Sequence, residues 1–173
     1  TPVGDVLAPT LVLSEVLASN QTTLADEEGD YPDWIELYNP TSEPVELRGI
    51  GLSDDPEDPF AWVFPGGVLE PGASQVVFAS GKDRTDSSQP FHTNFRLKAS
   101  GDQVVLTARK GQRLDRVKLP GLPPDVSMGR HPNRDAWQVY RRPTPGERNA
   151  EDGWAYPSNN ALAGASVQIS EVL

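Results

Sequence analysis

The spacing of turn-forming residues constrains the fold of this chain more than any other feature of its sequence. The 173 residues include 17 prolines and 15 glycines, which interrupt the apolar runs at short intervals. Between these interruptions apolar residues alternate with period two, as in 11–17 and 34–38. Period two is typical of strands with one buried face, and breaks this frequent leave no room for a long helix. The sequence therefore predicts an all-β fold, and specifically an antiparallel β-sandwich.

Nine segments have the composition and alternation of strands. They lie at 11–17, 34–38, 45–52, 61–64, 74–79, 95–98, 103–108, 113–119 and 137–140. Because neighbouring side chains of a strand point to opposite faces, Ile35 and Leu37 are expected to face away from Trp34. The loop at 109–112 contains a glycine that can adopt the positive φ of a tight hairpin turn, so it is predicted to join two neighbouring strands.

The net charge of −10 is concentrated in one part of the chain. Residues 26–58 contain twelve acidic side chains and one basic side chain, Arg48, so the remainder is close to neutral. Arginines predominate in 127–149. A chain without a coherent basic face is a poor nucleic-acid binder, because phosphate neutralisation needs one. The sequence also has no apolar run of eighteen residues and no cysteine, which argues against membrane insertion, disulfides and thiolate chemistry.

Two of the predicted strands carry a carboxylate within an apolar pattern. Glu15 lies in Leu-Ser-Glu-Val-Leu-Ala-Ser-Asn at 13–20, and Glu36 lies in Asp-Trp-Ile-Glu-Leu-Tyr-Asn-Pro at 33–40. An unpaired buried carboxylate costs several kcal/mol. We therefore expect each to face solvent or to be held by Arg48, Arg96 or a backbone amide. A structural role is preferred to a catalytic carboxylate pair, since no cleft-forming loop is evident beside them.

These two motifs resemble the opening strands of a lamin tail domain. The segments at 45–55, 62–65, 69–72, 76–80, 92–97, 100–106, 124–130 and 143–146 continue the family pattern in the same order, although Ile50 replaces its usual aromatic residue. The resemblance covers about 10–149. It implies an immunoglobulin-like β-sandwich that serves as a binding or scaffolding module and not as an enzyme.

An acidic loop offers the one plausible metal site. Calcium takes six to eight hard oxygen ligands, and carboxylates around a glycine turn can supply several of them. The spacing at 26–33 is not that of an EF-hand. The alternative is a solvated acidic loop, and the turn at 54–58 is a second acidic group that would contribute if the two loops meet. The predicted calcium ligands are Asp26, Glu28, Asp30 and Asp33.

The sequence contains little that supports other catalytic patterns. Ser14, His92 and Asp33 are the residue types of a catalytic triad, but the sequence has no nucleophile elbow or oxyanion-hole motif. Two histidines, His92 and His131, do not make a zinc site. The sequence predicts that His92 is a hydrogen-bonded structural residue and that the chain is not an enzyme.

The end of the chain repeats its beginning. Val-Gln-Ile-Ser-Glu-Val-Leu at 167–173 matches Leu-Val-Leu-Ser-Glu-Val-Leu at 11–17 almost residue for residue, as expected where a domain is repeated in tandem. The predicted organisation is an N-terminal segment at 1–9, a sandwich at 10–149, a linker at 150–166 and the first strand of a second repeat at 167–173. That strand is expected to pair with an exposed sheet edge, and the predicted strand-pairing residues are Val167, Ile169, Val172 and Leu173.

Two functions from different classes are consistent with these observations. The first is a non-catalytic module of a multidomain bacterial secreted or surface protein, which attaches or assembles by binding a protein partner or a neighbouring copy of itself. The second is an accessory module of a secreted hydrolase that binds carbohydrate or protein. A row of exposed aromatic side chains would favour the second, and the candidates for that platform are Trp34, Trp62, Trp137 and Tyr140.

Overall fold

The computed structural model describes residues 11–134 and 136–155. Thirteen strands follow one another along this part of the chain: β1 (Val12–Leu17), β2 (Asp33–Tyr38), β3 (Val45–Glu46), β4 (Gly51–Ser53), β5 (Trp62–Val63), β6 (Val68–Leu69), β7 (Ser74–Ala79), β8 (Phe91–His92), β9 (Gly101–Thr107), β10 (Arg113–Pro120), β11 (Ser127–Arg130), β12 (Trp137–Tyr140) and β13 (Trp154–Ala155). The described residues contain no helix with the length and apolarity needed to cross a membrane.

The strands form two larger sheets and one small ladder. The seven-stranded sheet has the order β13-β12-β11-β1-β2-β7-β8, and the four-stranded sheet has the order β10-β9-β4-β5. Strands β3 and β6 pair separately. Neighbouring strands are antiparallel except β7 and β8, which are parallel. This arrangement confirms the predicted all-β, immunoglobulin-like antiparallel sandwich.

The main core lies between the sheets and is built from the alternating apolar positions of the strands. Ile35 and Leu37 of β2 face this core, whereas Trp34 packs with Leu17 and Phe78 in a second cluster. The predicted separation of the two faces of β2 is therefore confirmed. Burial on both faces explains why β1 and β2 contain so few exposed residues.

Two predicted strands are divided or absent in the structure, and strands such as β11 were not predicted. The segment at 45–52 is divided into β3 and β4 because Gly49 takes a positive φ of 83° and turns the chain between them. The segment at 95–98 is not a strand; β8 lies upstream, and Arg96 forms only an isolated bridge with Ser80. Strand β11 was not predicted as a strand because its Ser-Met-Gly-Arg sequence lacks the apolar alternation.

The sandwich also extends beyond the predicted boundary at residue 149. Strand β13 pairs with β12 through the backbones of Trp154 and Ala155, which lie in the segment interpreted as a linker. Its two-residue length explains why period-two alternation could not reveal it. The predicted strand-pairing residues Val167, Ile169, Val172 and Leu173 lie outside the described residues.

Candidate functional site

Two buried carboxylates lie side by side at the centre of the seven-stranded sheet. Glu15 of β1 and Glu36 of β2 are opposite one another in the ladder, next to a bulge at Ser14. Both residues are 0% exposed. Solvent exposure, one of the two expected arrangements, is therefore not found. The bulge places Glu15 on the same covered face as Glu36, and backbone amides, which belong to the other expected arrangement, bond to both.

Glu15 is held by three hydrogen-bond donors. Its carboxylate accepts bonds from Ser127 Oγ at 2.5 Å and from the Thr144 amide at 3.1 Å. Thr144 Oγ1 donates a further bond at 3.2 Å. Burial raises the pKa of Glu15, and the bonds from Ser127 and Thr144 partly oppose that rise. Neither arginine named as a possible partner takes part: Arg48 pairs with Glu46, and Arg96 donates to the Ser80 carbonyl.

Glu36 is held by a hydroxyl on one side and by a distant amide on the other. Ser14 Oγ lies 2.7 Å from Glu36 Oε1, and the Gly146 amide donates to Oε2 at 2.5 Å. Burial raises the pKa of Glu36 to about 7, and the charge of Glu15 adds to the rise. Ser14 Oγ also lies 3.2 Å from the Glu36 carbonyl oxygen. A protonated Glu36 can therefore donate to Ser14, which in turn donates to that carbonyl.

The two carboxylates anchor the segment at 143–149 across the outer face of the sheet. Besides Thr144 and Gly146, this segment is fixed by Asn149, whose Nδ2 donates to the Ser14 carbonyl at 2.7 Å and to the Arg130 carbonyl at 2.8 Å. From the sequence this segment was predicted only to end the domain. A backbone amide was among the expected partners of the two carboxylates, but no local signal shows which amide it is, because the partners lie more than a hundred positions apart.

A groove opens above Glu36, where no cleft was expected. Its volume is about 280 Å³, and its floor includes Ser14 and Glu36. One wall comes from the ends of β1 and β2, and the others come from the turn after β11 and from the segment at 143–149. The residues that line it are Val12, Ser14, Glu36, Tyr38, Pro40, Ser74, Arg130, His131, Pro132, Arg134, Glu147, Arg148 and Asn149.

The acidic loop converges on a lysine. Lys82 Nζ lies 2.6 Å from Asp26 Oδ2, 2.6 Å from Glu28 Oε1 and 2.9 Å from Asp30 Oδ2. These contacts raise the pKa of Lys82 and counter the cost of its partial burial, so it stays charged. Three of the four predicted calcium ligands are thus brought together, with an ammonium group within hydrogen-bond distance of each of them.

The fourth predicted ligand, Asp33, is directed elsewhere. Its Oδ2 accepts a bond from the Leu97 amide at 3.1 Å, and burial raises its pKa to about 6. The carboxylate groups that converge among the described residues are Asp26 with Glu28 and Asp30, and Asp26 with Glu27 and His92. Asp33 and the turn at 54–58 belong to neither group, because Asp33 begins β2 and its side chain anchors the chain before β9.

A second hydrogen-bond network passes through His92. Its Nδ1 lies 2.8 Å from Ser80 Oγ, and its Nε2 lies 2.8 Å from Glu27 Oε1. His92 is buried, as befits the hydrogen-bonded structural residue that the sequence predicts. The Ser14–His92–Asp33 triad is not formed, since Ser14 contacts Glu36 and Asp33 contacts Leu97. The other histidine, His131, accepts a bond from the Asn133 amide through Nδ1.

The aromatic platform that would have favoured the accessory module is not formed either. Trp34, Trp62 and Tyr140 are buried, and Trp62 packs edge-on against Phe64 with centroids 4.9 Å apart. The fourth candidate, Trp137, is half-buried, with the Arg130 guanidinium 4.6 Å from its ring centroid. The large apolar area of these rings favours burial, so they do not form the row of exposed aromatic side chains that would favour the accessory-module alternative.

Comparison with known families is consistent with this architecture. The family model for the Lamin Tail Domain matches residues 8–121, which is more than half of the chain. The chain belongs to the lamin tail domain family. None of the curated proteins matches it. The matched part contains both carboxylates, Glu15 and Glu36, whereas Ser127, Thr144 and Gly146 lie beyond it. In this lamin tail domain the outer face of the sheet is thus closed by residues outside the family match.

Proposed function

We propose that this lamin tail domain is a non-catalytic interaction and scaffolding module of a multidomain secreted or surface protein, in which it mediates attachment or assembly. The observation that carries the proposal is that the side chains most suited to catalysis form structural hydrogen bonds instead. Glu15, Glu36, Ser80 and His92 are buried and form hydrogen bonds that join distant parts of the chain. Side chains held in this way keep the strands and loops in place, as a module that binds partners through its surface requires.

The Ser80–His92–Glu27 network illustrates the point. A catalytic serine must present its oxygen to a substrate. Ser80 is only 4% exposed, and its Oγ accepts a hydrogen bond from the Lys82 amide at 3.0 Å. Glu27 also pairs with Arg84 at 2.7 Å. The network therefore attaches the acidic loop to β7 and β8, which supports a structural role for it.

One feature of the sequence and one feature of the structure support assembly. The motif of β1 recurs at 167–173, as in proteins that repeat one domain, and a free first strand can add to an exposed sheet edge. Among the described strands, β10 offers such an edge, since it pairs with β9 alone in its sheet. The secreted or surface setting and the bacterial origin rest on the resemblance to bacterial members of the family alone.

A ligand-binding accessory module is the second candidate. The groove above Glu36 favours it, because small-ligand sites are concave and mostly apolar with a few polar groups. A carbohydrate cannot stack on Trp34 or Trp62, because both rings are buried. The groove is the concave site that such a module would offer to a carbohydrate ligand.

Light scattering coupled to size-exclusion chromatography tests the assembly proposal. We expect the chain of residues 1–173 to associate more strongly than a chain that ends at Ala165. A full-length control with Val167→Asp and Ile169→Asp keeps the length but weakens strand pairing, and it should behave like the shorter chain. Equal association of all three proteins would argue against a role for the terminal segment.

Labelling with a fluorophosphonate probe tests the non-catalytic part of the proposal. We expect no labelling of Ser80 in the native protein, with Ser80→Ala as the matched control. Labelling that is lost in Ser80→Ala would show that Ser80 is an activated nucleophile and would contradict the proposal.

A further inference from the structure

The groove above Glu36 combines apolar walls with a basic rim. The apolar part is formed by Val12, Tyr38, Pro40 and Pro132. Concave apolar surfaces with a few charged groups at the edge are typical of sites that bind a protruding segment of another molecule. The rim therefore decides which kind of segment the groove accepts.

Two exposed arginines dominate the rim. Arg134 and Arg148 both line the groove, and Arg148 donates a short hydrogen bond to the neutral side chain of Asn133. In the described part of the chain, neither arginine lies within salt-bridge distance of a carboxylate. Glu147 is the one exposed acid among the lining residues. The rim is thus net positive and suits a partner with more than one carboxylate.

The acidic turn at 54–60 has the complementary chemistry. Its exposed carboxylates Asp55, Glu57 and Asp58 have no salt-bridge partner among the described residues. Phe60 in the same turn is 38% exposed, although it is a large apolar side chain. The Asp58 amide donates to the Asp55 carbonyl at 3.0 Å, so the turn is preformed. By contrast, the carboxylates of the other acidic loop are already paired with Lys82 and Arg84.

The turn and the groove lie at opposite ends of the sandwich. Tyr38 ends β2 beside the groove, whereas Asp33 begins β2 at the other end. Asp33 is bonded to the Leu97 amide, and the next amide along the chain donates to Asp102 at 2.9 Å. The charge of Asp102 helps to raise the pKa of Asp54, which places the turn near this second end. The turn therefore cannot fold back into the groove of its own domain.

We propose that the groove bounded by Arg134 and Arg148 binds the acidic turn at 54–60 of a second copy of this chain. The inference rests on the proposed assembly function and names the surfaces that carry it. Phe60 packs against the apolar walls, and Glu57 and Asp58 pair with the two arginines. The contact joins different surfaces of the two copies, so it extends head to tail into open chains. Tandem repetition would raise the effective concentration of one surface near the other.

Sedimentation velocity on the full chain with charge-reversed variants tests this pairing. The groove variant is Arg134→Glu with Arg148→Glu, and the turn variant is Glu57→Lys with Asp58→Lys. We expect the wild-type protein to associate reversibly, and each variant to associate about tenfold more weakly. An equimolar mixture of the two variants should regain association, because each surface then meets one of opposite charge. Raising the salt concentration from about 50 to about 500 mM should weaken the wild-type association.

The matched control is Arg109→Glu with Lys110→Glu, which reverses two exposed charges in the turn between β9 and β10, outside the groove. It should associate like the wild type. Monomeric wild-type protein, or wild-type association of both variants, would overturn the inference. Loss of association in the groove variant alone would show that the groove accepts another acidic partner, and this also overturns it. Association that responds to removal of 166–173 but not to charge reversal would support the proposed function and exclude this interface.

Discussion

The amide nitrogen of Gly146 lies 2.5 Å from the carboxyl oxygen of Glu36, across 110 positions of sequence. The bond fastens the end of the domain over the centre of its larger sheet. Because Glu36 is buried next to Glu15, its protonation state is coupled to the stability of the fold.

Replacing Glu36 should change how stability depends on pH. The pKa of Glu36 is raised from 4.5 in the unfolded chain to about 7 in the folded protein. The folded protein therefore binds the proton more tightly, so its stabilising effect is complete below pH 4.5 and is lost as the pH rises through about 7. Between about pH 5 and about pH 8 the wild type should lose about 2 to 3 kcal/mol of its free energy of unfolding through Glu36, and Glu36→Gln should not show this loss.

Urea unfolding at both pH values measures this difference in the free energy of unfolding. The Glu36→Gln variant should still lose some stability as the pH rises, because the pKa of Asp33 is also raised, to about 6. Asp33→Asn keeps an acceptor for the Leu97 amide and serves as the control for that second contribution. A Glu36→Gln protein with the full wild-type pH slope would contradict the assignment.

Removing the Lys82 ammonium should destabilise the acidic loop and change its response to calcium. Lys82→Met leaves the buried carboxylate of Asp26 without its cation, and breaking such a pair costs about 3 kcal/mol. The freed carboxylates of Asp26, Glu28 and Asp30 can then accept a divalent cation. We expect calcium to raise the Tm of Lys82→Met and to leave that of the wild type unchanged. A calcium-dependent rise in wild-type Tm would instead support the calcium site predicted from the sequence.

Asp125 should contribute both through its hydrogen bonds and through its backbone conformation. Its carboxylate accepts bonds from the amides of Gln21 and Thr22 and from the hydroxyls of Thr22 and Thr23, which hold its pKa down at about 2. Its φ is 60°. Asp125→Ala and Asp125→Gly both lose the bonds, but alanine also adopts a left-handed conformation at a cost of about 1 kcal/mol.

We therefore expect the stability order wild type, Asp125→Gly, Asp125→Ala in chemical denaturation. The contribution of the carboxylate is present above about pH 4 and is lost as the pH falls through about 2, because the folded pKa is depressed. Equal stability of the two variants would show that the backbone strain is absent.

Gly129 should tolerate no side chain. A Cβ at this position would lie 2.6 Å from the nearest ring carbon of Tyr140 and 3.0 Å from Asn149 Nδ2. Overpacking of this kind costs about 1 to 3 kcal/mol. The matched control is Gly66→Ala, whose nearest neighbour would lie at 3.7 Å. Thermal unfolding should show a lower Tm for Gly129→Ala and little change for Gly66→Ala; similar values for both would contradict the contact.

The strands that could be predicted are those whose pattern is local. Residues 74–79 were predicted with the observed bounds, and β1 and β2 were predicted within a residue, because alternation along one segment is enough to define a half-buried strand. Strand β11 and the two-residue β13 escaped prediction, since their stability comes from pairing with distant partners.

The candidate site shows the same difference between local features, which could be predicted, and long-range contacts, which could not. The family, the sandwich and the positions of Glu15, Glu36 and the acidic loop could be predicted, because they depend on residue type and short-range spacing. The position of Lys82 among three carboxylates and the bond from Gly146 to Glu36 are visible only in the folded protein. Those contacts join residues brought together by sheet order and burial, and neither leaves a periodic signal in the chain.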